Sequence, residues 1–567
     1  MKTKTFFRFF LLGVMTLFTF GAWAQTTPDK DYLCFTAEVA GAKVWLKKNS
    51  TPAAVNLEYT TDGSAWTDFV IGTTKGCGVT LANVGDKVYL RNKKEAKDVT
   101  TFSESNKKYY CFTFSDSVSV SGNVMSLVDK NVETTTIPCD YCFCRLFDST
   151  NLTSVADLKL PATMLTTGCY QQMYQKCRTL KTAPALPADT LAEKCYYSMF
   201  NGCSALETAP ALPATTLATN CYFGMFSGTA LETAPALPAE TLAESCYNGM
   251  YQNCKALKTA PALPATTLAA SCYSTMFYGC SALETAPALP ATTLAKQCYS
   301  GMFNGCAALK TAPELPADTL AESCYFNMFY GCSALETAPA LPATTLAKQC
   351  YNNMFQKCTK LKSVKVGFTK WGDLSDSGAT DYHATYNWLN NAGTEATTPT
   401  FECPAELDMD VETQLDVNHV PAGWKVTYDI TANQDPNNKG NYYATFFTNR
   451  KAYQLPEGVT AYTAEVDGDV LKTNPIEDGI IPAGEGVILK LTSKYYSEAK
   501  VHFLLEESEE AGTKDTENVL TGTDTAIAST PNGTKAFSLG ENGVGFYLWD
   551  GKPIAAHKAY IPAAAQE

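Results

Sequence analysis

Leu186-Pro-Ala-Asp-Thr-Leu-Ala-Glu-Lys-Cys195-Tyr196-Tyr-Ser-Met199-Phe200-Asn-Gly202-Cys203-Ser-Ala-Leu206-Glu207-Thr-Ala-Pro210-Ala211 is one copy of a motif that dominates this chain. The phrase L-P-A opens copies at Leu160, Leu186, Leu212, Leu237, Leu263, Leu289, Leu315 and Leu341, a period of 26 residues with one copy of 25. Self-similarity at such a period marks a stacked repeat architecture. Leu191, Ala192, Cys195, Tyr196, Met199, Phe200 and Cys203 recur at intervals of three and four, which predicts an amphipathic helix. Pro187 and Thr190 suit its start and Gly202 its end. Leu206 to Ala211 is short and proline-marked, so it predicts a brief strand with one ladder donor removed at Pro210. One copy cannot bury its own Leu, Tyr, Met and Phe. At roughly 1.5 to 3 kcal/mol per fully buried large side chain, stacking neighbouring copies is what makes the fold favourable. The predicted fold is an α/β solenoid, a leucine-rich repeat of 26-residue period flanked by amino- and carboxy-terminal all-β domains.

Stacking puts equivalent residues of successive copies nearly in contact. The residue after the second-half leucine reads Lys181, Glu207, Glu232, Lys258, Glu284, Lys310, Glu336, Lys362, a ladder of alternating sign except at Glu207 to Glu232. That step falls in the short copy, where Ser-Gly-Thr229 replaces Gly-Cys-Ser, and it predicts a local irregularity or bend. Chance interchange of exposed Glu and Lys is the simpler explanation, since surface charges carry little energy singly. Tyr197, Phe223, Tyr278, Phe326 and Tyr330 vary between copies on the helical half. They join the charged ladder as candidate partner-binding positions, against the alternative that they pack on neighbouring coils.

The repeat cysteines, such as Cys195 and Cys203, stand eight residues apart, about 12 Å on a helix, too far to pair within a copy. The short copy has Cys221 and no second cysteine, so buried reduced thiols explain the pattern better than a disulfide ladder. Cys139-Asp-Tyr-Cys142-Phe-Cys144 resembles a metal knuckle, but aligns as a degenerate first coil with Leu146-Phe147 as its Met-Phe pair. A zinc site would need a fourth ligand that no nearby histidine supplies. His383, His419, His502 and His557 are scattered, and Asp408, Asp410 and Glu412 sit in an acidic, loop-like stretch. With no nucleophile elbow, phosphate-cradling loop or recurring carboxylate pair, the chain reads as non-enzymatic, with no catalytic, metal or cofactor residue assigned and no cofactor expected.

Outward from the repeats (136–427 with caps), residues 25–135 carry turn-punctuated alternating segments such as Tyr32-Leu-Cys-Phe-Thr-Ala-Glu-Val and Lys87-Val-Tyr-Leu, and predict a small all-β domain. Tyr386-Asn-Trp388-Leu389 predicts a short helical cap, the polar stretch 428–440 a linker, and 441–567 a β-sandwich-like domain. Its aromatics, in Tyr442-Tyr-Ala-Thr-Phe-Phe and Val544-Gly-Phe-Tyr-Leu-Trp549, suit either a core or a sugar-stacking site. At the start, Lys2, Lys4 and Arg8 precede an apolar run and Ala22-Trp23-Ala24, the pattern of a cleavable signal peptide over 1–24. Export to the cell surface or beyond is expected, with the periplasm left open, and no transmembrane segment. The net charge of −13, about −16 without that segment, and the absence of a long basic cluster argue against nucleic acid.

Cys195-Tyr-x-x-Met199-Phe200-x-Gly-Cys203-x-x-Leu206, with Leu186-Pro-Ala, resembles the BspA-like class of bacterial leucine-rich repeats over about half of the chain. Tyr32-Leu-x-Phe-Thr-Ala, Ser121-Gly-Asn-x-Met-Ser-Leu and His557-Lys558-Ala559-Tyr560-Ile561-Pro562 are similar, less specifically, to segments that accompany such repeats. The 26-residue period and the Ala-Pro-Ala strand depart from the commoner pattern. The resemblance implies a surface or secreted protein of a host-associated bacterium, adhesin-like, binding host or neighbouring-cell proteins through its repeat surface. The alternative is a glycan-binding protein with its site in the carboxy-terminal β domain and the repeats as spacer. Neither reading specifies an oligomeric state.

Overall fold

The computed structural model describes residues 28–50, 54–72, 77–98, 101–371, 384–407, 409, 419–467, 470–492, 498–540, 543–549 and 551–563. The stretch read as a signal peptide, His383, and Asp408, Asp410 and Glu412 lie outside these residues. No α-helix occurs among the described residues, so the α/β solenoid expected from the repeat is incorrect: the flanks are β-sheet with short 3-10 turns such as Ala96–Asp98 and Val124–Leu127, and the repeats are turns joined by isolated parallel bridges.

The repeat itself shows why. Leu191/Ala192, Cys195/Tyr196, Met199/Phe200 and Cys203 return every four residues, whereas an α-helix repeats every 3.6. Between Ala192 and Cys203 the backbone forms successive four-residue turns, with N–H of Cys195, Tyr197, Met199, Asn201 and Cys203 donating to the carbonyl three residues back at 3.1–3.2 Å. Lys194, Ser198 and Gly202 have φ of 54°, 50° and 76°, so every fourth residue is left-handed and no right-handed helix can propagate. The intervening N–H groups turn outward: those of Lys194, Tyr196, Ser198, Phe200 and Gly202 donate to Thr219, Cys221, Phe223, Met225 and Ser227 of the next copy at 2.7–3.1 Å. Backbone donors are thus divided between closing each turn and joining neighbours.

Across the repeats, Gly, Asn, Ser, Gln and Lys fill nearly all these left-handed positions. Glycine adopts that conformation without steric penalty and asparagine at modest cost, while a β-branched residue is strained there. Asn253, exposed with φ 58°, tests the point. Asn253→Val is expected to lower stability by about 2 kcal/mol. Asn253→Gly should stay within about 0.5 kcal/mol of the parent in urea denaturation, and equal midpoints for both variants would contradict the turn assignment.

The expected brief strand is also reduced. In the middle copies it survives as single parallel bridges, such as Thr259 to Thr285 and Thr285 to Thr311, because prolines on either side of the leucine, such as Pro210 and Pro213, carry no N–H to extend a ladder. Side-chain stacking adds to the backbone hydrogen bonds that join copy to copy. One column of rings runs from Tyr170 to Tyr351 through Tyr196 and Tyr273, and a second from Tyr174 to Phe355 through Phe200 and Phe277. Successive centroids are 5.3–6.0 Å apart and ring planes within 10° of parallel. The short copy does not bend these columns: Tyr222 to Tyr247 is 5.8 Å at 4°. Its irregularity is confined to the outer segment, where neither Thr208–Thr233 nor Thr216–Thr241 bridges among the described residues.

Both ends are closed by the flanks. Phe143 and Phe147 of the degenerate first coil stack on Tyr170 and Tyr174, and Phe147 packs in turn on Phe35 and Phe112 of the amino-terminal sheets. There Leu33–Ala37 lies between Lys87–Asn92 and Val118–Asn123, both antiparallel. Val118–Asn123 also pairs in parallel with Leu158–Lys159, just before the first full copy. At the far end the predicted helical cap is a last course of turns rather than a helix. Phe355 N–H donates to Trp388 C=O at 2.8 Å, and the Trp388 ring, fully buried, covers both columns.

Ser363–Lys365 then pairs in parallel with Thr400–Pro404, and that strand with Lys425–Gln434, opening a ten-stranded sheet that is otherwise antiparallel. Residues 428–434, assigned to a linker on composition, lie inside the Lys425–Gln434 strand, which pairs along most of its length with Lys500–Glu507. A separate three-stranded sheet of Lys535–Gly540, Gly543–Leu548 and Tyr560–Ile561 packs against it through Phe447, Ile488, Leu520 and Ile561. One hydrophobic core runs from Leu33 through the repeats to Leu505. No helix among the described residues is long and apolar enough to cross a membrane.

Candidate functional site

Half of the charged ladder is paired within itself. Backbone N–H groups of Lys258, Glu336 and Lys362 donate to the carbonyls of Glu232, Lys310 and Glu336 at 2.9–3.2 Å, which sets the side chains one above another. Lys258 meets Glu232 at 3.2 Å and Lys362 meets Glu336 at 2.6 Å. The hydrogen bond from Lys362 holds the Glu336 carboxyl below its ordinary range. Glu207, Glu284, Lys310 and Lys181 are exposed in the same row. Exposed pairs of this kind contribute about 0 to 1 kcal/mol each, and a partner would have to displace them.

The aromatic candidates sit differently. Tyr197, Phe223 and Phe326 occupy one column of the turn face, with Asn248, Ser274, Ser300 and Asn352 at the equivalent places. Tyr278 and Tyr330 occupy a second, with Asn201, Gln252, Asn304 and Gln356. Tyr197 and Phe223 stack on each other, 4.8 Å apart at 6°, and are half-buried, as is Phe326. Tyr330 accepts a 2.6 Å hydrogen bond from Lys357, whose ammonium also lies 4.9 Å from its ring. Tyr278, 37% exposed, is the most open of the five. The structure therefore joins Tyr197 to Phe223 and leaves Tyr278 and Tyr330 two copies apart on one row, with amide side chains between and beside them.

The cysteines carry no exposed chemistry in the repeats. All 22 are free, and those of the full copies are buried. The second thiol of each copy donates backwards: Cys203 to Tyr174 C=O at 2.9 Å, Cys280 to Tyr251 C=O at 3.0 Å, Cys358 to Phe329 C=O at 3.0 Å. In the short copy Thr229 takes the cysteine's place, with its hydroxyl on Phe226 C=O at 2.8 Å and 3.3 Å from Cys254 Sγ. No group of three His, Cys, Asp or Glu suited to a metal occurs among the described residues.

Two histidines acquire definite structural places. His419 packs edge-on to the Trp371 ring, and its carbonyl accepts from Trp388 Nε1 at 2.7 Å. His557, fully buried, has Nδ1 3.1 Å from Asp524 and 3.0 Å from Phe447 C=O, while Nε2 is 3.3 Å from Tyr428 Oη. That network fastens the last segments of the chain to the large sheet. His502 is exposed beside Asp429 at 3.1 Å.

Sequence reading missed the principal concavity. Between the three-stranded sheet and the large one lies a cleft of about 770 Å³, lined by Tyr443, Tyr462, Phe537 and Phe546, the aliphatic Val466, Val470 and Leu471, and Lys490 and Lys535. The volume is in the range of small-molecule sites. The alternating aromatics of the last 127 residues, which 441–567 spans, were its one visible signal, and a core was the commoner explanation for them. No known protein family, no curated protein and no solved structure matches this chain.

Proposed function

We propose that this chain is a non-enzymatic, exported interaction protein of adhesin-like type, kin to the BspA-like repeat proteins, that holds a host or neighbouring-cell protein against the turn face of its repeats. The observation that carries the reading is the rigid register of that face. Columns of parallel rings beneath it fix each copy, so exposed Tyr278, half-buried Tyr330 and their neighbouring amides recur at constant spacing. Tyrosine and amide side chains favour protein contact, and weak contacts on successive copies add through effective concentration.

Binding of the full mature chain to arrays of host matrix proteins and glycans tests this. Tyr278→Ser combined with Tyr330→Ser should weaken protein binding about tenfold or more with no change in melting temperature. Unaltered affinity would remove the turn face from consideration. Surface variants are preferable to truncations, because the core is continuous and a cut at 441 would strip partners from the Lys425–Gln434 strand.

A second reading, glycan recognition in the carboxy-terminal β region with the repeats as spacer, is favoured by the aromatic cleft. It predicts that the double tyrosine variant binds as the parent does.

A further inference from the structure

The cleft between the two carboxy-terminal sheets has a specific chemical bias. Its long wall is the large sheet, which contributes Tyr443, Tyr462 and Lys490 from three neighbouring strands, Asn441–Phe446, Val459–Asp467 and Val487–Thr492. Its short wall is Lys535–Gly540 with Gly543–Leu548, contributing Lys535, Phe537 and Phe546. Ile488 and Ile561, buried in one hydrophobic cluster, line the cleft as well. Phe537 lies 6.3 Å from Tyr443 across the gap and 5.4 Å edge-on to Phe546. The rings thus make a corner with one open face rather than a closed stack. Lys490 holds its ammonium 5.9 Å from the Tyr443 ring.

The charged residues that line this corner are cationic. In a chain of net charge −13, two lysines line the cleft, one from each sheet, and among the described residues no Asp or Glu does. Ammonium groups at the rim of a low-dielectric aromatic wall attract an anion more strongly than they would in open solvent. A flat ring ligand gains stacking area on Tyr443 and Phe537. A neutral sugar would use the rings and leave both ammonium groups without a counter-charge.

We infer that the cleft binds a six-membered-ring ligand bearing a carboxylate, with its ring against Tyr443 and Phe537 and its carboxylate taken by Lys490 and Lys535. This rests on the second reading above and narrows it from glycans to acidic ring ligands. A terminal acidic sugar and a free aromatic acid share that chemistry.

The test is a titration of the full mature chain with methyl glucuronide, methyl glucoside and benzoate, followed by ligand-observed NMR. The expected result is glucuronide binding at least tenfold tighter than glucoside and weakening with salt. Lys490→Gln and Lys535→Gln should each reduce it about fivefold. Val470, 61% exposed at the cleft mouth, can be changed without disturbing the core, and Val470→Glu should reduce glucuronide binding about tenfold by like-charge repulsion while leaving the melting temperature unchanged. Equal binding of glucuronide and glucoside would overturn the inference and keep the glycan reading. Binding of benzoate without glucuronide would uphold the acidic-ring chemistry and overturn the glycan reading. Failure of all three to bind would overturn both.

Discussion

Replacing Trp388 by alanine should lower stability by about 4 kcal/mol, the upper range for truncating a buried aromatic. The ring is fully buried and closes the two ring columns, 6.2 Å from Tyr351 and 6.4 Å from Phe355. It also touches Phe368, Trp371 and Phe401, the side chains through which the repeats pass into the parallel strands of the large sheet. Its indole N–H is spent on His419 C=O at 2.7 Å, so alanine would leave a cavity and lose that buried hydrogen bond together. Stacked repeats fray from their ends, and an uncapped end should melt ahead of the rest. Urea denaturation followed by circular dichroism should show an earlier first transition for Trp388→Ala. Trp388→Phe, keeping a ring but no donor, should fall between. A loss under 1 kcal/mol for the alanine variant would mean that the columns need no cap.

A larger effect is expected from alkali. Burial in the repeat core pushes the thiols of Cys144, Cys169, Cys221, Cys272, Cys298, Cys332 and Cys350 up to about 12, and that of Cys177 up to about 11, from an ordinary 9.0. Below pH 9 both folded and unfolded chains keep these protons, and the shifts have no effect on stability. Above it the unfolded chain releases protons that the folded chain retains, so stability falls as pH rises, by about 1.4 kcal/mol per thiol per unit. Near pH 10 these eight thiols together would remove about 11 kcal/mol, on the order of a domain's whole stability. Desolvated Tyr222 and Tyr351 act in the same direction at higher pH. The protein should therefore unfold cooperatively around pH 10 in the presence of reductant and refold on return to pH 7. Circular dichroism against pH checks this, and a native signal persisting to about pH 11.5 would refute it.

How much of this was readable beforehand depends on the interaction concerned. The 26-residue copies, the Lys/Glu row and the β character of both flanks follow from pattern, because each is written in local order along the chain. The turn architecture was not read, because a period of four and one of 3.6 place Cys195, Tyr196, Met199 and Phe200 almost identically over so short a span. The discriminating signal was on the other face: Asn220, Gly224 and Gly228, or Ser323, Asn327 and Gly331, return every fourth residue at positions with positive φ. Residues 428–434 looked like linker because their polarity is local, while the strand they form is imposed by Lys500–Glu507. The cleft was invisible for the same reason, since Tyr443, Lys490 and Phe537 meet only after two sheets have packed.

The sealed thiols also impose an order of events on the life of this molecule. Once copies have stacked, the second thiol of each full copy sits under a neighbour's backbone, as Cys203 does under Tyr174, the first thiol is buried beside it, and an oxidant in solution has nothing in the repeat core to attack. Before they have stacked, the same chain carries 22 thiols, 15 of them at the regular intervals of the repeat, any two of which can cross-link in the wrong register. Wherever an oxidant is present, maturation is thus a race between coil assembly and sulfur chemistry, and the finished fold is its own antioxidant barrier.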